Sequence, residues 1–228
     1  MEWICESRGC LRGNIESVCR FIDRNIQWWK ENENAERVRR REYYDKFLEN
    51  IKLPDTTNKI VAELGPGPFG GILQVCNLPA KRKVFIDYIL RELVKLNFIR
   101  WPEDALYVDA PAEAIPMKFS SVDVLISYNT LDHGWDPLAG LFECVRISKR
   151  CYVSFDCRGD SKHEVKIRED KRDKDHFHLL RFNQVWDFLE REVTPLGKWT
   201  MVDMKTKAFP VVCIQVEKYD ANEPSGEV

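Results

Sequence analysis

The stretch that most constrains this 228-residue chain is VAELGPGPFGG at 61–71. A short apolar run ends in an acid, and four glycines and two prolines follow within seven residues. Glycine, lacking a Cβ, lets the backbone turn left-handed and lets another group approach closely. Proline removes an N–H donor and holds φ near one value. A turn of this composition, between a buried strand and a helix, lies where open α/β sheets bind ligands, at the carboxyl ends of the strands.

The rest of the chain agrees with such a sheet. Short apolar runs at 59–64, 83–87, 106–109, 122–127 and 151–155 read as strands, and a final pair is expected at 199–204 and 211–217. Helices separate the earlier strands. Asp136-Pro137 is a cap followed by proline at the first helical position, and Leu138, Leu141, Phe142 and Val145 make the buried face behind it. Phe182, Val185, Trp186 and Leu189 form another such face. Alternating strand and helix implies a parallel sheet covered on both faces. The last two strands lack an intervening helix and must pair as an antiparallel hairpin. The expected fold is therefore α/β: a Rossmann-like, seven-stranded, mostly parallel sheet with helices on both faces and a C-terminal antiparallel hairpin. Ahead of it, Ile15, Val18, Cys19, Ile22, Ile26 and Trp29, and then Tyr44, Phe47, Leu48 and Ile51, keep helical rhythm around the charged stretch KENENAERVRRRE. The expected division is an N-terminal helical extension or cap at 1–56, the sheet domain at 57–218, and a disordered polar tail at 219–228.

Two ligands fit the glycine turn at first. GPGPFG at 65–70 has the G-x-G-x-x-G spacing of dinucleotide sites, and Asp87 follows about 20 residues later at a strand end, where a carboxylate accepts ribose hydroxyls. Three features separate NAD from a simpler adenosine ligand. A pyrophosphate needs backbone N–H donors from this turn, and Pro66 and Pro68 have none. Glu63 places negative charge beside the turn, which repels phosphate and suits a cation. The terminal hairpin is not the usual dinucleotide ending. S-adenosylmethionine, with ribose, adenine, positive charge and no phosphate, fits all three.

Taken together, VAELGPGPFGG, VFIDYI, APAEAIPMKFSSVDVLISYNTLDH and DPLAGLFECVRIS resemble the class I SAM-dependent methyltransferases, and within them the type 11-like group with an Ala-Glu-x-Ile/Leu-Pro segment before the fourth strand and Leu-Asp-His after it. The resemblance covers about residues 57–217. It implies that Glu63, Gly65 and Gly67 cradle the methionine part of the cofactor. It implies that Asp87 holds the ribose, with Tyr88 beside the adenine and Ala112 and Glu113 along the adenine edge. Ser127, Tyr128 and Asn129 match the turn under the sulfonium. The chain departs from the pattern at Phe69, where many relatives carry a third glycine, and at Pro111, where many carry an acid that contacts the adenine amine.

Methyl transfer is an in-line displacement in which the cofactor brings its own leaving group, so the protein aligns the partners and excludes water. A hydroxyl acceptor would need a base; a thiolate would not. The chain has four histidines. His133, in TLDHGWD, follows the fourth strand; His176 and His178, in DKDHFHLLRF, follow the fifth. All three are expected at the acceptor side, where imidazole can take a proton near neutral pH. Ordering of turns and of the long charged segment RGDSKHEVKIREDKRDKDH is the plainer role for them, and a metal held by the three with Asp132 or Asp175 is a minor alternative that methyl transfer does not require. The basic run Arg37, Arg39, Arg40 and Arg41 reads either as a solvated helix face or as a contact for a phosphate-bearing acceptor.

The net charge of −2 gives no electrostatic case for nucleic acid. No apolar run spans a bilayer, and MEWICESRGCLR lacks a signal-peptide core. The eight cysteines contain no CxxC pair and are expected to stay reduced, so a cytoplasmic location is expected. An Asn/Asp-Pro-Pro-aromatic tetrapeptide, which would favour methylation of exposed bases or glutamine amides, is replaced by SYNT at 127–130. The expectation is a methyltransferase acting on a small-molecule or glycan acceptor at oxygen. Protein or RNA acceptors, a non-catalytic SAM-binding module and an NAD enzyme are the competing readings.

Overall fold

The computed structural model describes residues 11–90, 102–158, 180–205 and 210–219. One long helix, α1 (Leu11–Asn50), leads into strand β1 (Ile60–Leu64), the short helix α2 (Gly71–Val75) and strand β2 (Arg82–Ile86). Strands β3 (Leu106–Val108) and β4 (Val122–Tyr128) follow, and a single 3₁₀ turn (Leu131–His133) precedes helix α3 (Pro137–Ile147). Next come β5 (Ser148–Arg158), the two-residue β6 (Leu180–Arg181), and α4 (Phe182–Phe188) running into a π turn (Leu189–Val193). The hairpin β7 (Gly197–Lys205) and β8 (Pro210–Lys218) closes the order.

The strands lie in the order β3-β2-β1-β4-β5-β8-β7, with β6 beside the end of β5. The first five are parallel, and β8 runs antiparallel between β5 and β7. The expected sheet and its terminal hairpin are both present. Strand order reverses between β1 and β4, so their carboxyl ends diverge into a crevice there.

Each sheet face carries its own core. On one face Leu141, Cys144, Val145 and Ile147 of α3 and Val185 and Leu189 of the α4 region pack on Ala62, Leu64, Leu125 and Val153. Asp136 caps α3 as its sequence predicts: its carboxylate accepts from the N–H groups of Leu138 and Ala139, both at 3.1 Å. On the other face Tyr44 and Phe47 of α1, Ile51 just beyond its end, and Ile72 and Leu73 of α2 pack on Val61, Phe85 and Ile126. The last turns of α1 are therefore part of the core, with Phe47 fully buried.

The charged stretch between the two apolar patterns of α1 is helical as well. Its charges pair along the helix at i, i+3 and i, i+4: Arg37 with Glu33, Arg39 with Glu36 and Arg41 with Asp45. Arg41 also donates to the Val75 carbonyl. Arg40 turns onto the glycine loop, its guanidinium 4.9 Å from the centre of the Phe69 ring. Among the described residues no helix is long and apolar enough to cross a membrane.

Candidate cofactor site

The glycine turn sits at the reversal of strand order, and four of its residues have left-handed backbone: Gly65 (φ 68°), Gly67 (φ 62°), Gly70 (φ 97°) and Gly71 (φ 58°). Two of these show what the turn is built around. A Cβ on Gly71 would overlap the Glu63 carboxylate, so this glycine makes room for the acid. At Gly67, among the described residues, no atom lies within 4 Å of where a Cβ would stand. The backbone there faces open space at the mouth of the crevice.

Glu63 is buried, and its two oxygens accept from the N–H groups of Ile72 (2.6 Å) and Leu73 (2.9 Å). It ties the end of β1 to the first turn of α2 and sets the shape of the loop. Burial pushes its pKa up to about 7, against the pull of those two N–H groups and of Lys83, with Asp87 adding to the push. Asp87 stands at the tip of β2, also buried; it accepts from the Ile89 N–H at 3.1 Å and faces the N–H groups of Gly67 and Tyr88. Burial pushes it up to about 6, opposed by those donors and assisted by the neighbouring charge of Asp109. The carboxyl rim thus concentrates buried acids stabilised chiefly by backbone N–H groups, a setting that favours a cation.

The other expected residues gather on the same rim. Gly65 donates its N–H to the Ile86 carbonyl at 2.8 Å and packs against Thr130, whose hydroxyl lies 3.2 Å from the Tyr128 carbonyl. Tyr88 is exposed and tilted against Trp135 at a ring separation of 6.0 Å. Glu113 accepts from the N–H groups of Trp135 (2.6 Å) and Asp136 (2.9 Å), holding the loop that carries that indole. Ala112 packs beside it on the α3 face. Ser127 is fully buried, and its hydroxyl has no hydrogen-bond partner among the described residues. Asn129 takes the left-handed conformation (φ 51°) that asparagine tolerates and donates its N–H to the Ser154 carbonyl. The Tyr128 ring turns toward α1, edge-on to Tyr44 (5.4 Å) and Phe47 (5.2 Å).

His133 is half-buried at the end of the 3₁₀ turn, its N–H donating to the Thr130 carbonyl, so it shares this rim. His176 and His178 lie outside the described residues, as does Asp175. Among the described residues no three His, Cys, Asp or Glu side chains converge on a metal site.

Sequence reasoning missed Trp135 and Thr130. Trp135 was legible as an aromatic within TLDHGWD, but its partner Tyr88 lies on another strand end. Thr130 fills the space above Gly65, a long-range contact with no local signature.

No model of a known protein family matches the chain, and no curated protein sequence matches it. Solved structures do match. A SAM-dependent methyltransferase from Thermotoga maritima is similar at 17% identity and TM-score 0.57, over 88% of this chain and 99% of that one. A phosphoethanolamine N-methyltransferase 2 from Haemonchus contortus, solved with phosphomonomethylethanolamine and S-adenosylhomocysteine, is similar at 12% identity and TM-score 0.61, over 78% of this chain and 53% of that one. The fold is the class I methyltransferase fold. The (4+2)-cyclase SpnF shares it at 12% identity and TM-score 0.55, over 79% of this chain and 81% of that one. The class I methyltransferase fold thus carries more than one reaction, and a chain's own chemistry is set by its site.

Proposed function

We propose that the chain is a cytoplasmic S-adenosylmethionine-dependent methyltransferase acting on a small-molecule or glycan acceptor at oxygen. The observation that carries the reading is the turn at Gly67. Its backbone opens onto the crevice, while the buried Asp87 carboxylate stands against it at the tip of β2. An adenosine ligand placed there meets a fixed acceptor for its ribose hydroxyls, and the Tyr88–Trp135 pair offers apolar faces for a purine. Glu63, Asp87 and Asp109 make the surroundings acidic, which supports a sulfonium and opposes a diphosphate. When bound, the cofactor supplies an electrophilic methyl group with its own leaving group. The protein then orients an acceptor, shields it from water and, for a hydroxyl, removes its proton, the role assigned to His133, His176 and His178.

Thermal shifts with S-adenosylmethionine, S-adenosylhomocysteine and NADH test the cofactor. Both adenosyl ligands should raise Tm and NADH should not, and Asp87→Ala should abolish the shift with S-adenosylhomocysteine. Methyl-labelled cofactor is then offered to pools of hydroxylated small molecules, glycans, proteins and RNA. Label in the first two supports the reading, and label in protein or RNA replaces the acceptor. Cofactor binding with no transfer makes the chain a binding module, and a shift with NADH alone overturns the cofactor. His176→Ala should keep the thermal shift and lower turnover; full activity removes that histidine from the acceptor side.

A further inference from the structure

Of the seven residues in the glycine turn, two have no N–H and two more donate theirs within the protein. Pro66 and Pro68 have no N–H. Gly65 donates to the Ile86 carbonyl and Gly70 to the Gly67 carbonyl at 3.5 Å, while Ile72 and Leu73, just beyond the turn, donate to Glu63. Nearby cations are engaged elsewhere: Lys83 donates to the Leu73 carbonyl, and Arg41 to Asp45 and the Val75 carbonyl. Yet the methionine part of the proposed cofactor ends in a carboxylate, which the acids of this rim repel.

Arg40 is placed to answer that charge. It projects from α1 onto the loop itself, stacked on Phe69. Its internal contacts are loose: Nη1 lies 3.4 Å from the Tyr44 hydroxyl, and Nε lies 3.7 Å from Glu36, whose carboxylate is already held by Arg39 at 2.6 Å. Nε is buried with no hydrogen-bond partner among the described residues, and the side chain as a whole stays 32% exposed, so the reach toward a ligand is through the outer nitrogens. A planar guanidinium with unused donors matches a carboxylate in two parallel hydrogen bonds. Tyr44, one turn further along α1, is buried against Tyr128 at the end of β4 and fixes the height of the helix over the site.

We propose that Arg40 is a binding residue for the amino-acid carboxylate of the cofactor, so that α1 closes the site rather than merely preceding it. This rests on the cofactor reading above. It also gives a role to the placing of Arg40 over Phe69, while Arg37, Arg39 and Arg41 make close ion pairs along the helix.

Calorimetric titration with S-adenosylhomocysteine and with 5′-methylthioadenosine, which lacks the amino-acid carboxylate, tests it. Arg40→Ala should weaken S-adenosylhomocysteine roughly 10- to 100-fold, the loss expected for a charge-assisted pair, and leave methylthioadenosine within about twofold. Arg40→Lys should fall between. Arg37→Ala, which removes an intrahelical pair, should change neither ligand. Equal weakening of both ligands by Arg40→Ala would mean that the arginine only packs α1 on Phe69, and would overturn the assignment, as would no change in either. If Arg40→Ala does not fold, Arg40→Gln, which keeps the stem over Phe69, is titrated instead with the same expectations. Failure of the wild-type protein to bind either ligand would overturn the cofactor reading itself.

Discussion

The two ends of the parallel strands treat charge in opposite ways. At the amino end, charges meet opposite charges or carbonyls near water. Lys149 pairs with Asp123 at 2.8 Å, Arg150 with Glu217, and Arg146 with Glu143 and with the carbonyls of Ile115 and Met117. At the carboxyl end, Glu63 and Asp87 are buried, burial raises the pKa of both, and each accepts from backbone N–H groups. The exposed pairs of the amino end, Lys149–Asp123 and Arg150–Glu217, add little to stability. The carboxyl end keeps acids in a setting that disfavours their charge. A cationic ligand would relieve that cost, which is the contrast the proposed cofactor site requires.

The comparison can be broken most directly at two glycines. Gly71→Ala adds a Cβ where the Glu63 carboxylate sits and forces a left-handed residue, so the ligand-free protein should lose about 2–5 kcal/mol in denaturant unfolding. Gly67→Ala meets only open space and should cost about 1–2 kcal/mol from backbone strain while lowering cofactor affinity at least about tenfold. Equal effects of the two substitutions on both readouts would show that the crevice at Gly67 holds nothing.

Proton linkage sharpens the same contrast. Both acids are raised in the folded protein, so each contributes stability that is complete below about pH 4 and is lost as pH rises through about 6 for Asp87 and about 7 for Glu63. The ligand-free protein should lose on the order of 3 kcal/mol per group between about pH 4 and 8, and Glu63→Gln should flatten the upper part of that curve. Bound sulfonium favours the carboxylates. S-adenosylmethionine should therefore release protons on binding and gain affinity with pH more steeply than S-adenosylhomocysteine, as calorimetry in buffers of different ionisation enthalpy would show.

The smallest effect belongs to the other rim. Lys149→Ala should cost no more than about 1 kcal/mol and leave cofactor affinity unchanged, because its pair with Asp123 is exposed and far from the crevice. A larger loss would mean that the amino end is less ordinary than its geometry suggests.

Much of this was legible before any tertiary contact was known. The alternation of apolar runs and amphipathic helices specified the sheet and its terminal hairpin, because side-chain period is a local property of each element. The Asp136-Pro137 cap and the glycine turn were legible for the same reason. The two-residue β6 was not, since a strand so short leaves no period. Glu63 and Glu113 could be singled out as polar residues at strand and loop ends. What they bond could not: Glu63 reaches N–H groups nine and ten residues away, and Glu113 reaches Trp135, 22 residues away.

The sequence by itself determined where the backbone must bend left-handed and where it lacks donors, since those follow from a missing Cβ and a missing N–H. Tertiary structure decided which charges face inward. Four arginines at 37, 39, 40 and 41 are spread around a helix by its own geometry, and only packing on Phe69 selects Arg40. Likewise Tyr128 is one residue of a strand end until Tyr44 and Phe47 arrive from a helix about 80 residues earlier and fix its ring. Contacts of that separation leave no periodic trace in the chain, because they depend on how the elements pack and not on how each one forms.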